Sequence, residues 1–233
     1  MLSRRLFLAL AGTAITLHPA FCRKDTMPNN LDHIVLGSHD LDQGIAWLEA
    51  RTGVRAALGG VHPGRGTRNA LLALGPHCYL EILAPDPRQS SLTWYTQLPT
   101  LREPRLVAWA VHTTDLAAVA GKCAAAGYPI DGPSDYSRAR PDGKTLRWKL
   151  FHLKDDRDGL LPFFIEWAAD SIHPAVDTPP GCMLTSLQLE SPHPNDLAKV
   201  CQTLGVDVPV MVGQKQLLRA RITSPKGEVE FTS

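Results

Sequence analysis

The chain repeats one pattern three times, and that repetition limits its fold more than any other feature. Each copy opens with a short apolar run, switches to the 3.6-residue spacing of a capped helix, stops at a glycine and continues into strands. In the first copy Ile34, Val35 and Leu36 make the run, closed by Gly37 and Ser38. Asp40 followed by Gln43 has the spacing of an N-cap and capping box, Leu41, Ile45 and Leu48 share one helical face, and Gly53 supplies a left-handed stop. Strands follow at Val54 to Leu58, Arg68 to Leu74 and Tyr79 to Leu83, with a turn-rich stretch from Gly59 to Thr67, so residues 31–84 read as one βαβββ module.

The second copy, residues 105–168, begins with a strand from Leu106 to Val111 and a helix capped by Asp115, striped by Leu116, Val119, Ala120 and Cys123, and stopped at Gly127. A Pro/Gly/Ser-rich loop is expected from Asp131 to Gly143, then strands from Thr145 to Leu153 and Phe163 to Trp167. A shorter third copy, residues 182–233, has its cap at Asn195 and its stop at Gly205. Between the first two copies, Ala84 to Pro104 reads as a linker that carries one aromatic patch, Trp94 and Tyr95.

Chemistry-bearing residues stand out against this frame. His33 interrupts the first apolar strand and Glu81 the last strand of the first module; Glu166 and Glu230 stand at the corresponding sites of the later copies. A carboxylate aimed into a core needs a metal, a basic partner or an aqueous cavity, because unpaired burial costs several kcal/mol. Arg138, Arg140, Arg147 and Lys149 concentrate positive charge, and strand alternation puts Arg147 and Lys149 on one face with Trp148 on the other. Such an arginine cluster beside an aromatic suits an anionic small substrate. The net charge of +1 over 233 residues gives no reason to expect nucleic acid or an anionic membrane surface as partner. Five cysteines without a CxxC spacing indicate neither a zinc knuckle nor a disulfide framework.

The amino terminus, residues 1–26, reads as a leader and not as domain. Ser3-Arg4-Arg5-Leu6-Phe7-Leu8 matches the twin-arginine export pattern, and the apolar run after it is too short for a permanent membrane span. This implies a periplasmic protein; translation from Met27 would instead leave it in the cytoplasm.

The repeats resemble the vicinal oxygen chelate superfamily, and within it the glyoxalase-like domain branch. The residues that carry the resemblance are Leu31-Asp32-His33-Ile34-Val35, the stretch Gly60 to Asn69, Tyr79-Leu80-Glu81, Arg138 to Gly143, Leu146-Arg147-Trp148, Pro162 to Trp167 and His173-Pro174. The resemblance implies an α+β fold in which paired βαβββ modules form an open curled sheet around a divalent metal, with the third module covering an exposed edge or mediating a homodimer. It nominates His33 and Glu81 as metal ligands and Glu166 as a third ligand or general base. The fourth position fails, since Ala108 aligns with His33. Zinc, iron, manganese and nickel all suit such a set. His62, from the glycine-rich stretch, is a further catalytic candidate, and Arg65, Asn69, Arg138, Arg140 and Arg147 are the candidate substrate contacts. Two functions follow: a metal-dependent lyase, isomerase or ring-opening oxygenase acting on a small oxygenated anion, or a non-catalytic protein of the same fold that sequesters a small molecule.

Overall fold

The computed structural model describes residue 28 and residues 30–233; the leader and Met27 lie outside them. Strand β1 (Leu31–Gly37) is buried along its whole length and occupies the middle of an eight-stranded sheet. It leads into α1 (Leu41–Thr52), where the Asp40 side chain accepts from the Gln43 N–H at 2.9 Å and Gly53 ends the helix at φ 78°. β2 (Ala57–His62), β3 (Thr67–Ala73) and β4 (Tyr79–Pro85) complete the first module, and β4 returns to pair in parallel with β1. The second module follows the same path through β5 (Arg105–His112), α2 (Leu116–Ala125), β6 (Ile130–Ala139), β7 (Thr145–Leu153) and β8 (Phe163–Trp167).

The strand order β2-β3-β4-β1-β5-β8-β7-β6 is symmetric about the antiparallel β1/β5 pair. The sheet therefore curls into an open half-barrel of mixed α+β class, with both helices on the convex face. Alternation along each strand divides the side chains. Ile34, Leu36, Leu80 and Ile82 enter the main core beneath the helices, whereas Val35, Leu83, Trp148 and Leu150 line the concave side.

Two expectations change. β2 begins at Ala57 and runs on through Gly59 and Gly60, leaving only residues 63–66 as turn. Asp131 to Gly143 is strand as far as Ala139, because β6 is a sheet edge and an edge tolerates Pro133 at the irregularity between Asp131 and Ser134. That edge curls round towards the other edge, β2. A Cβ placed on Gly60, which sits at φ 150°, would lie 2.6 Å from the Ala139 carbonyl oxygen, so glycine is what permits the approach.

After the short α3 (Pro174–Asp177), the third stretch runs through β9 (Met183–Ser191), α4 (Pro194–Leu204), β10 (Val210–Val212), β11 (Leu217–Ser224) and β12 (Gly227–Thr232). Its helix starts earlier than a cap at Asn195 would allow: the N-cap position is His193, two residues before, with Pro194 opening the first turn. Its element order is again βαβββ, but its strands are ordered β10-β9-β11-β12 in a separate sheet, so the last strand does not return beside the first. Leu187, Leu189, Leu218 and Ile222 join the same core as the residues beneath α1 and α2. The third stretch thus covers the convex, helical side and leaves the concave side open. Among the described residues, no helix is long and apolar enough to cross a membrane.

Gly60→Ala is expected to destabilise the protein by about 1–3 kcal/mol, since it meets both a glycine-only backbone conformation and the Ala139 carbonyl. Gly64→Ala, at φ 71° with nothing near its Cβ, should cost less. Urea denaturation of the two variants measures the difference.

Candidate functional site

The concave side holds a pocket in which residues from both modules meet, among them His33, His62, Asn69, Glu81, Arg138 and Trp148. Its polar end is built from β1, β2, β3 and β4. Glu81 is 8% exposed, and its Oε1 accepts from Asn69 Nδ2 at 2.6 Å. Its Oε2 lies 3.6 Å from His33 Nε2, and its Oε1 lies 3.8 Å from His62 Nε2. His33 is stacked on Tyr79 at 4.4 Å between ring centres and turned by Asp32, whose Oδ1 is 2.6 Å from His33 Nδ1.

Asp32 itself is 1% exposed and also receives Trp167 Nε1 at 2.9 Å and His173 Nε2 at 3.2 Å, with His112 Nδ1 at 3.7 Å. Burial alone would raise its carboxyl, but the hydrogen bonds from His112, His173 and His33 hold it well below the usual carboxylate range. An ionised Asp32 accepts from His33 Nδ1 and so orients the ring with Nε2 towards Glu81.

A second chain of assignments fixes His62. Glu81 accepts from the Asn69 amide nitrogen, which sets the amide's orientation and points its N–H side to His62 Nε2 at 3.5 Å. Nε2 is therefore an acceptor, and Nδ1 donates to Thr67 Oγ1 at 2.9 Å. Burial, with Arg138 and His33 nearby, pushes the His62 imidazole down to about 4 against the pull of Glu81, so it is neutral at physiological pH.

Arg138 enters from β6, on the inward face it shares with Tyr136, and is 4% exposed. Among the described residues its Nε and Nη1 find no hydrogen-bond partner, and neither does Asn69 Oδ1. Burial lowers the guanidinium from its ordinary value, and Glu81 and Tyr79 raise it. The rest of the lining combines the rings of Trp94, Tyr95, Trp148, Phe163, Trp167 and His152 with the aliphatic Leu83, Leu150 and Ile165.

The other sequence-nominated residues lie elsewhere. His33 pairs with Tyr79 across β1/β4 and with Ala110 across β1/β5, and Ala110 pairs with Phe163 across β5/β8. The positions related to His33 and Glu81 are therefore Ala110 and Ile165, one or two residues away from the expected Ala108 and Glu166. A one-residue shift turns a strand side chain to the opposite face. Glu166 accordingly faces outward, where its Oε2 accepts from the Leu116 N–H at the start of α2 at 2.7 Å. Arg147 is exposed and pairs with Asp170, because Trp148 takes the inward face of β7. Arg140 pairs with Asp177 at 2.7 Å, and Glu230 pairs with Arg219 and Arg221 on the outer sheet. Arg65 sits at the rim, donating to Tyr136 Oη at 2.9 Å with its guanidinium 5.0 Å from the Trp94 ring centre.

Residues passed over in the sequence complete the site. Asp32 precedes His33 in β1, where strand alternation would turn it to the other face; the pairing irregularity between Leu31 and His33 brings its carboxylate to His33 Nδ1 instead. Trp167 and His152 carried no local signal.

Two donors about 2.1 Å from one ion at a tetrahedral angle stand about 3.4 Å apart, close to the 3.6 Å between His33 Nε2 and Glu81 Oε2. The two residues thus fit a divalent cation as a pair. Among the described residues no group of three His, Cys, Asp or Glu side chains is arranged to hold a metal ion.

A family model described as "Glyoxalase-like domain" matches residues 31–205. A crystal structure of a hypothetical protein from Staphylococcus aureus superposes with a TM-score of 0.60 at 17% identity, covering 87% of this chain and 84% of that one. A methylmalonyl-CoA epimerase from Streptomyces coelicolor, in complex with 2-nitronate-propionyl-CoA, gives 0.45 at 22% identity over 61% of this chain and 100% of that one. The Mycobacterium tuberculosis methylmalonyl-CoA epimerase gives 0.43 at 21% over 64% and 94%. The Staphylococcus aureus likeness shows a shared fold, to which the weaker epimerase superpositions add nothing. A search of the curated proteins finds no match.

His62 folds with a value of about 4 against 6.5 for a free imidazole, so the unfolded chain takes up the proton first. Its contribution is fully present above pH 6.5 and is lost as pH falls towards 4, by about 3 kcal/mol in total. His152, lowered by burial to about 4 as well, adds to the same window. Denaturation free energies measured across that range in chelator-treated protein should fall steeply, and His62→Gln should flatten part of the slope.

Proposed function

The chain belongs to the glyoxalase-like domain family, within the vicinal oxygen chelate superfamily, and from this we propose that it is a metal-dependent lyase, isomerase or ring-opening oxygenase acting on a small oxygenated anion. One observation carries the reading. His33 Nε2 and Glu81 Oε2 face each other at 3.6 Å inside the protein, close to the separation of two ligands on one divalent cation. In this reading His33 and Glu81 hold a divalent cation, whose chemistry when bound is that of a Lewis acid drawing charge from a substrate oxygen.

The protein's own groups do the rest. Asp32 fixes the tautomer and tilt of His33, and Asn69 holds the second oxygen of Glu81. His62 is neutral, and its Nε2 takes a substrate proton only when the 3.5 Å hydrogen bond from Asn69 gives way. Arg138 supplies the positive charge that orients an anionic substrate. The aromatic walls exclude water and so strengthen these interactions.

The second reading, sequestration without turnover, is favoured by the second module, where Ala110 and Ile165 hold the positions related to His33 and Glu81. Export by the twin-arginine route is proposed on the sequence alone, and amino-terminal sequencing of the mature protein decides between it and a start at Met27.

Purified protein titrated with zinc, manganese, iron(II) and nickel should bind one equivalent of at least one of them, read by elemental analysis. His33→Ala and Glu81→Ala should each remove that binding, while Asp32→Asn should weaken it by about 10–100-fold. Protein that binds none of the four would remove the enzyme reading and leave sequestration.

A further inference from the structure

We propose that the pocket takes a planar, conjugated monocarboxylate, such as an aromatic acid, with its carboxylate on Arg138 and its π-face against Trp94 and Trp148. The proposal rests on the functional reading above and narrows its substrate class.

The first argument is charge. Arg138 is 4% exposed, yet among the described residues Nε and Nη1 have no partner. A buried cation left in that state costs several kcal/mol, so the site is built for an anion that arrives from outside. Glu81 does not fill the role, since Asn69 and the two histidines already surround its oxygens. A guanidinium matches a planar pair of oxygens through its fixed fork of donors.

The second argument is shape. Away from the polar end, rings make most of the walls, beside the aliphatic Leu83, Leu150 and Ile165. Trp94 lies 5.1 Å from Tyr136, which lies 6.1 Å from Trp148 at an interplanar angle of 22°. Flat aromatic surfaces favour a flat, polarisable guest over a puckered one of equal size.

The third argument concerns entry. The cavity measures about 40 Å³, which admits water but no ring. The piece that closes it is the strap bearing Trp94 and Tyr95. At its tip the strap is held by Thr93 and Trp94 donating to the Arg65 carbonyl at 3.0 and 3.4 Å and by Thr93 Oγ1 donating to the Gly64 carbonyl at 3.4 Å, while the fully buried Leu98 anchors its far end. Tyr95 is held at φ 50°, a conformation that favours glycine. A guest therefore enters by lifting the strap, and the two tryptophans at the slot report it.

The test titrates the full chain, treated with chelator, with benzoate, benzamide and cyclohexanecarboxylate, using calorimetry and tryptophan fluorescence. Benzoate should bind and change the fluorescence. Benzamide, which is flat but neutral, and cyclohexanecarboxylate, which is charged but puckered, should each bind about tenfold or more weakly. Arg138→Gln should bring benzoate down to the level of benzamide, and Arg138→Lys should fall between. Benzoate that binds no better than benzamide, or that does not bind at millimolar concentration, overturns the proposal. So does unchanged binding to a folded Arg138→Gln protein; if that variant does not fold, the three-probe series on the unmutated protein still decides. No metal is read in these titrations, so the metal-site reading stands or falls separately.

Discussion

The buried carboxylate of Asp32 is the interaction on which the site depends. Four nitrogen-bearing side chains converge on it: His33 from β1, His112 from β5, Trp167 from β8, and His173, which precedes α3. An ion stripped of water is tolerable only with such partners, so the cluster ties the two modules together at the centre of the sheet. It also decides chemistry, because the ring of His33 is aimed at Glu81 only while Asp32 holds its other nitrogen. His173 contributes twice, tethering Asp32 through Nε2 and capping α3 through Nδ1.

Closure of the half-barrel sets what the pocket contains. Gly60 allows β2 to approach β6, and β6 brings Arg138 in from the far edge. The turn after β2 serves the same end. Its backbone receives the strap, and Gly66 has no side chain that would strike the Ser91 and Leu92 backbone passing beside it. The linker between modules, expected only to connect, thereby becomes a wall of the site. The third stretch buries the helical side instead, so its different strand order is of no consequence to the pocket.

Local features were legible from the residues alone. Asp40 and Asp115 cap their helices because a carboxylate there meets free backbone N–H groups, and the glycine stops adopt the left-handed backbone they were chosen for. His33 and Glu81 were legible for a related reason: a polar side chain inside an apolar strand needs a partner wherever it points. The resemblance of the repeats was enough to anticipate the curled sheet.

Orientation and distant pairing were decided by the tertiary structure. Glu166 and Glu81 look alike in sequence, yet one caps α2 from outside and the other faces His33, because register within a sheet sets which face a residue takes and a shift of one reverses it. Arg138 and Arg147 divide in the same way, the first inward from β6 and the second outward from β7. The partners of Asp32 come from as far as 141 residues along the chain, a separation at which no local pattern carries information. Sequence by itself thus determined the modules, their caps and the two polar residues in apolar strands. Folding decided which charged groups share the pocket, since that depends on strand parity and on which edges the curling sheet brings together.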